Sequence, residues 1–461
     1  MRSSIVVAVL LCSNLVADMV FEEWNRQETQ SFVNYQTQMD RAFVDMLQRD
    51  WQEYYAVEDS VHYLRPKPRQ QPIRQSNPQI KEHIKVSPKL VTPTNAPTIS
   101  KKRTPIGYQK IAFDFFSIGV EILYEQRFSY NIETISNSTI AKYWYKLSSS
   151  NYRPLLKQIR EYREVYGLND WATYLLVREI TKQINYETNN RNLLSWFILV
   201  ELGIDAKVGF SSNHISLLLG SRQKLYGVKY FALNGKNYYQ LNNRENHKLK
   251  IYRGEIGSLH TIDFRDKIVK LPLDIKSREI RFVYQDREYG LRFEYNQNLV
   301  KLYKTYPQLD YNQYGQLSTI SREFIHQKLS PIISNMSEID AINFLLRLTQ
   351  NGFRYKTDRE NFGYEKVMFF EETLHYSHSD CEDRAIFFAQ LVRELLHLPI
   401  LFIKYPNHLA TAISLPNSST GGDTFIYKNQ RYTIADPTYS SANIGQAMPD
   451  LKGIKFKIIE P

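Results

Sequence analysis

The stretch SDCEDRAIFFAQLVRELLHLPILFIKYPNHLATAI, Ser379 to Ile413, decides how this chain is to be read. Its first part places Ala385, Phe388, Ala389, Val392, Leu395 and Leu396 on one face at helical spacing, with Asp380 at the N-cap position and Pro399 past the end. A helix therefore opens at Cys381, where backbone N–H groups without intrahelical partners and the helix dipole favour a thiolate. The second part reads as strand, turn, strand and carries His408; further on, YTIADPTY ends a strand at Asp436. The order Cys, His, Asp puts a nucleophile on a helix and its partners on adjacent strands. An imidazole can then take the thiol proton while a carboxylate fixes its tautomer and stabilises the imidazolium. Taken singly, a histidine is more often structural and an Asp before Pro is commonly a turn former. It is the combination with Cys381 that points to catalysis.

The run EETLHYSHSDCEDRAIFFAQLVRELLHLPILFIKYPNHLATAI, followed by YTIADPTYSSANIG, resembles the transglutaminase-like cysteine protease superfamily, especially its bacterial secreted members. The resemblance spans Ala341 to Gly445 and rests on Asp380-Cys381, His408 and Asp436-Pro437-Thr438. It implies a papain-like α+β fold, a Cys-bearing helix packed on an antiparallel sheet that bears His and Asp. It also implies Cys381 as nucleophile, His408 as base and then acid, and Asp436 as orienter. The multidomain architecture and calcium sites of the animal enzymes have no visible counterpart, so no metal and no cofactor is expected. One oxyanion donor would be the Cys381 N–H at the helix start. The second would come from the loop Asn361 to His378, through Tyr376 or His378.

An internal repeat surrounds this site. Ala172, Arg178 and Tyr186 match Ala341, Arg347 and Tyr355 at an offset of 169, and Asn213-His214 and Tyr238 match Asn407-His408 and Tyr432 at 194. The difference implies a 25-residue insertion before Cys381. In the first copy Asn242 stands for Asp436, and ungapped alignment puts Glu187 at the cysteine position, so that copy lacks a nucleophile and His214 is a remnant. The expected domains are 107–255, degenerate, and 321–461, catalytic, joined by a β-rich connector at 256–320.

Upstream, apolar and aromatic residues from Phe21 to Tyr55 recur mostly at three and four, which predicts an amphipathic aromatic helix within 18–64. Residues 65–106 read as a basic, proline-rich linker. Arg65 to Arg103 holds ten basic residues against Glu82, or nine of the net charge of +11, together with eight of the 18 prolines through Pro105. The rest is nearly neutral, which argues against specific nucleic-acid binding; the aromatic helix and basic linker could instead meet an envelope surface. The segment Ile111 to Tyr124 reads as strand.

Met1-Arg2, the apolar run to Leu11 and Leu15-Val16-Ala17 look like a signal peptide, 1–17, and imply export to the periplasm or outside. Lipid attachment at Cys12 is the lesser alternative, because Leu11 stands where a small residue is wanted. Cleavage after Ala17 leaves Cys381 as the single thiol. At 461 residues, 43% hydrophobic and without an apolar run of about 18, the chain is neither a disulfide-stapled scaffold nor a multi-pass membrane protein. Two functions follow. One is a secreted thiol acyl-transfer enzyme acting on a protein or peptide, such as a cell-wall peptide, by hydrolysis or by amine transfer. The other is a non-enzymatic envelope adaptor.

Overall fold

Local preference sets most of the elements seen in the computed structural model, which describes residues 37–58, 82–86, 103–241, 248–264, 269–406, 408–415 and 421–460. A first helix, α1 (37–49), leads into strand β1 (Trp51–Tyr55); β2 (Glu82–Val86) and the hairpin β3 (Tyr108–Phe115) and β4 (Ile118–Glu125) follow. Four helices come next, α2 (Asn137–Ser148), α3 (Arg153–Val165), α4 (Asp170–Ile184) and α5 (Thr188–Glu201). Then come β5 (Ala206–Phe210), β6 (Ile215–Gly220), β7 (Tyr230–Leu233), β8 (Lys236–Gln240) and β9 (Lys248–Tyr252). The middle holds the long hairpin β10 (Ile275–Tyr284) and β11 (Arg287–Asn296), then α6 (Gln297–Tyr303), α7 (Thr319–Phe324) and α8 (Ser330–Ile333). The last part contains α9 (Glu338–Gly352), β12 (Arg354–Tyr355), α10 (Asp358–Phe362), α11 (Phe370–His375), β13 (His378–Ser379) and α12 (Cys381–Leu396). It closes with β14 (Ile400–Tyr405), β15 (His408–Ser414), β16 (Thr424–Tyr427), β17 (Gln430–Ala435) and β18 (Lys457–Ile459). The protein is mixed α+β, with several antiparallel sheets that include a near-closed barrel and a half-barrel.

Two of the sheets share one plan. The first runs β1-β9-β5-β6-β8-β7 and the second β18-β14-β15-β17-β16. Their registers agree at an offset of 194. Ala206 faces Leu219 as Ile400 faces Ile413, Gly220 faces Tyr238 as Ser414 faces Tyr432, and Tyr230 faces Tyr239 as Thr424 faces Thr433. The preceding helices also end alike, on Gly203 and His397, both left-handed. Between α4 and α5 lie three residues, whereas β12, α10, α11 and β13 fill the interval between α9 and α12.

The strands that carry the sites are buried along their whole length: β5, β6 and β15 show no exposed position. A sheet buried on both faces needs a layer on each. Helices α5 and α12 cover one face, and small clusters such as Leu218, Phe231 and Tyr238, or Ala412, Tyr432 and Ile434, fill the other. No helix among the described residues is long and apolar enough to cross a membrane.

Three sequence expectations change. The helix over 18–64 stops at residue 49, since Trp51, Tyr54 and Tyr55 suit a strand and β1 finds a partner in β9. The helical part docks on the body: Phe43 and Leu47 are buried, Phe43 meets Trp144 edge-on at 4.8 Å, and Trp144 Nε1 donates to Asp40 at 3.1 Å. The linker 65–106 is not unpaired throughout, because β2 adds to β11 in parallel register, with Ile84 opposite Tyr289. The single strand at 111–124 is a hairpin. Its turn residues Phe116 and Ser117 take φ of 50° and 66°, the backbone twist that a two-residue hairpin loop requires. The signal segment 1–17, Cys12, Asn242 and Asn407 lie outside the described residues.

Candidate active site

Cys381 is the first residue of α12, and helix α12 packs across β14 and β15. His408 opens β15, and Asp436 follows the last residue of β17. The predicted trio is thus gathered at one end of the second sheet. His408 Nε2 pairs with Asp436 Oδ2 at 2.7 Å, and His408 Nδ1 is buried with no hydrogen-bond partner. The Asp-Pro-Thr run does two jobs at once. Asp436 Oδ1 accepts the N–H groups of Thr438 at 2.9 Å and Tyr439 at 3.2 Å, a tight turn that aims Oδ2 at the imidazole. Gln350 Nε2, from α9, donates to the Asp436 carbonyl at 3.0 Å and holds the turn from below.

The thiol's surroundings oppose what its helix position favours. Cys381 is fully enclosed, and its thiol donates to Glu382 Oε2 at 2.9 Å. Burial, then the neighbouring Glu382 and Asp380 carboxylates, push the Cys381 thiol well above the ordinary range; the Leu409 N–H, one residue after His408, points at the sulfur and works the other way. Desolvation and two carboxylates thus act against the dipole at this helix start. A raised thiol stays neutral to higher pH. Alkylation of the resting protein by iodoacetamide should accordingly run at least about ten-fold slower at pH 7 than that of a free cysteine, and climb only above the ordinary midpoint of about 8.5. A pH 7 rate equal to that of a small thiol would contradict this.

Arg384 ties the end of the insertion, at Ser379, to the end of α9 and the residue that follows it, and so frames Cys381. Arg384, buried on α12, donates from Nε to Ser379 Oγ at 3.1 Å, from Nη1 to Gln350 O at 3.4 Å and from Nη2 to Phe353 O at 2.7 Å. Its guanidinium lies 5.2 Å from the Tyr355 ring centre. Replacing it with alanine leaves three buried acceptors without their donor, so Arg384→Ala should cost about 3–5 kcal/mol of stability, read from chemical unfolding. A loss under 1 kcal/mol would show the frame to be slack.

Neither oxyanion candidate from the insertion is seen at the sulfur. Tyr376 packs edge-on against Phe362 at 4.9 Å, and His378 bonds Ser377 Oγ at 2.7 Å. The sequence reading instead passed over Tyr355, whose hydroxyl is buried and unpartnered; burial, then the nearby Cys381, push that phenol far up. Its place in the repeat, opposite an exposed Tyr186, was the available signal.

Asp358, Asp380 and Asp383 set three buried carboxylates within 4.8 Å of one another, the oxygen set that could hold a hard cation. They also have ordinary duties: Asp383 accepts Met368 N–H at 2.8 Å and Asp380 N–H at 3.3 Å, and Asp358 accepts Lys366 N–H at 2.7 Å. In the first half, Glu187 stands at the N-cap position of α5, without a side-chain capping bond, where Cys381 stands in the second, and His214 Nε2 is buried without a partner. There Asn189 spans the gap, donating to Asn213 O at 3.3 Å and accepting Ile215 N–H at 2.8 Å. No protein-family model matches the chain, and no curated protein matches it.

Proposed function

We propose that the protein is an acyl-transfer enzyme of the transglutaminase-like type, hydrolysing an amide or peptide bond through a thioester on Cys381, and that its two halves are copies of one papain-like unit. The observation that carries the reading is the His408–Asp436 pair. A buried imidazole held at Nε2 by a carboxylate, with Nδ1 left unpartnered one residue from an amide facing the sulfur, is what proton transfer from a thiol requires. The shared strand order and register support the duplication.

In this mechanism the thiol proton passes to His408 Nδ1 as Sγ bonds the acyl carbon, and the carbonyl electron pair moves onto oxygen. The tetrahedral adduct collapses, the C–N bond breaks, and the leaving amine takes the proton from His408. Water then attacks the thioester with His408 again as base, releasing the acid and the thiol. Because burial and the neighbouring carboxylates push the thiol's pKa up, proton removal belongs to the attack step itself. Asp436 keeps the proton-accepting nitrogen turned to sulfur throughout. An amine in place of water would give crosslinking, which no observed amine site favours. Export, an envelope peptide as substrate and surface contact through α1 and the basic linker belong to the same reading.

The adaptor reading is favoured by one observation, the enclosed thiol turned to the Glu382 carboxylate. Trapping separates the two: incubating the protein with an envelope extract and finding an acyl fragment on Cys381 by mass supports the enzyme. An unmodified Cys381 with intact binding to the same extract supports the adaptor.

A further inference from the structure

A buried hydroxyl with no hydrogen-bond partner costs about 1–3 kcal/mol, so a native protein that keeps one calls for an explanation. Tyr355 is such a case. Phenylalanine would fill the same space without that cost; what sets this hydroxyl apart from the equally orphaned one of Tyr143, deep in the core of the first half, is its place beside Cys381. Three features fix where it stands. Strand β12 pairs with β13 so that Tyr355 lies opposite Ser379, two residues before Cys381. The Arg384 guanidinium covers its ring and ties Ser379, Gln350 and Phe353 into the same frame. The acceptor side of the site, His408 Nδ1, is likewise buried and unpartnered. The orphan hydroxyl of Tyr355, that of Thr438 beside Asp436 and the orphan nitrogen of His408 thus accompany the thiol of the site.

Resting on the acyl-transfer reading above, we propose that Tyr355 is a catalytic residue, its hydroxyl donating to the oxyanion that forms when Cys381 attacks an acyl carbon. As the Sγ–C bond forms, the carbonyl π pair moves to oxygen, the thiol proton goes to His408 Nδ1, and Tyr355 Oη–H donates to the new alkoxide. The bond to the leaving group then breaks and the carbonyl reforms. The Cys381 N–H, at a helix start without an intrahelical partner, is the second donor. A rigid, pre-placed donor of this kind stabilises the charge that develops while adding little to ground-state binding. The first half shows the complementary state: without a thiol, Tyr186, the matching residue, is turned out to solvent at 93% exposure.

The test compares two reactions of Cys381 in the full-length protein at pH 9. Acylation by p-nitrophenyl acetate passes through an oxyanion, whereas alkylation by iodoacetamide is a direct displacement at carbon and does not. With Cys381→Ala as the background, Tyr355→Phe should slow acylation about 10²-fold and leave the alkylation rate within two-fold of wild type. Equal rates for both reagents in wild type and Tyr355→Phe overturn the inference and leave the acyl-transfer reading standing. Equal slowing of both overturns it too, since the hydroxyl would then serve the thiol and not the oxyanion. Failure of either reagent to modify Cys381 in the wild-type protein overturns the enzyme reading and this inference with it. If Tyr355→Phe does not fold, 3-fluorotyrosine at 355 carries the test: the stronger donor should speed acylation with alkylation unchanged, and no change in acylation rejects the role.

Discussion

Cys381→Ala should remove acyl transfer altogether, by on the order of 10⁴- to 10⁶-fold, while the protein keeps its fold. The expectation follows from what the side chain does in the structure. Its polar contacts are the thiol's bond to Glu382 and the Leu409 N–H that faces the sulfur, and alanine holds the first turn of α12 at least as well as cysteine. Its removal changes stability by no more than about 1–2 kcal/mol, because the lost atom is one sulfur in a packed site. His408→Ala should be nearly as damaging, since no other described base is paired for the purpose. Asp436→Asn is the informative member of the series. Its Oδ1 is committed to the Thr438 and Tyr439 amides, so the new NH₂ must face His408 Nε2. That forces the proton onto Nδ1, the nitrogen that should accept from sulfur, and the rate should fall about 10²- to 10⁴-fold with binding little changed. Steady-state kinetics on any acyl probe that the wild type turns over decides this; Cys381→Ala acting at the wild-type rate would dismiss the trio.

The second half was legible because its signals are local. A helix opening at Asp380-Cys381, two strands around His408 and a strand ending at Asp436 each follow from periodicity and turn residues within about ten positions. The strand pairing at constant offset was legible through the repeat, since strand length and register survive substitution wherever both faces are buried. What failed was set by distant partners. Trp51–Tyr55 continues a helical spacing in sequence, yet pairs with a strand some 200 residues away. Glu82–Val86 sits in a proline-rich, one-signed stretch and still adds to β11, because an open sheet edge supplies the hydrogen bonds that the composition seems to deny. The thiol's surroundings were equally hidden. A helix start can be read from sequence, but the burial of Cys381 and the direction of the Glu382 carboxylate cannot. Tyr355 escaped notice for the same reason, as nothing in RYKTD announces an unpartnered hydroxyl.

Deleting residues 107–255 should unfold the remainder or render it insoluble, although the deleted part has no nucleophile. The two halves are joined by a run of aromatic and hydrogen-bonded contacts that ends at α12. Trp171 Nε1 donates to Thr305 Oγ1 at 2.9 Å, Asn169 Nδ2 to Tyr306 Oη at 2.8 Å, and Tyr226 Oη to Asp310 at 2.6 Å. Tyr306 in turn meets Phe369 edge-on at 5.2 Å, while Tyr303 stacks on Phe369 at 4.1 Å. The residue before Phe369, Met368, gives its N–H to Asp383 in the first turn of α12. Removing Trp171 and Asn169 bares Tyr306 on one side and leaves β1 without β9, losses of the same order as the roughly 5–15 kcal/mol holding an ordinary domain. Trp171→Ala alone should cost about 3–5 kcal/mol by the same route. His214→Ala provides the contrast. Its Nε2 bonds nothing described, burial lowers its pKa, and no described thiol stands beside it to serve. That variant should fold and act normally. A His214→Ala protein that folds but is catalytically dead would give the first half chemistry of its own, whereas a deletion protein with wild-type melting and turnover would show that the aromatic bridge carries no load.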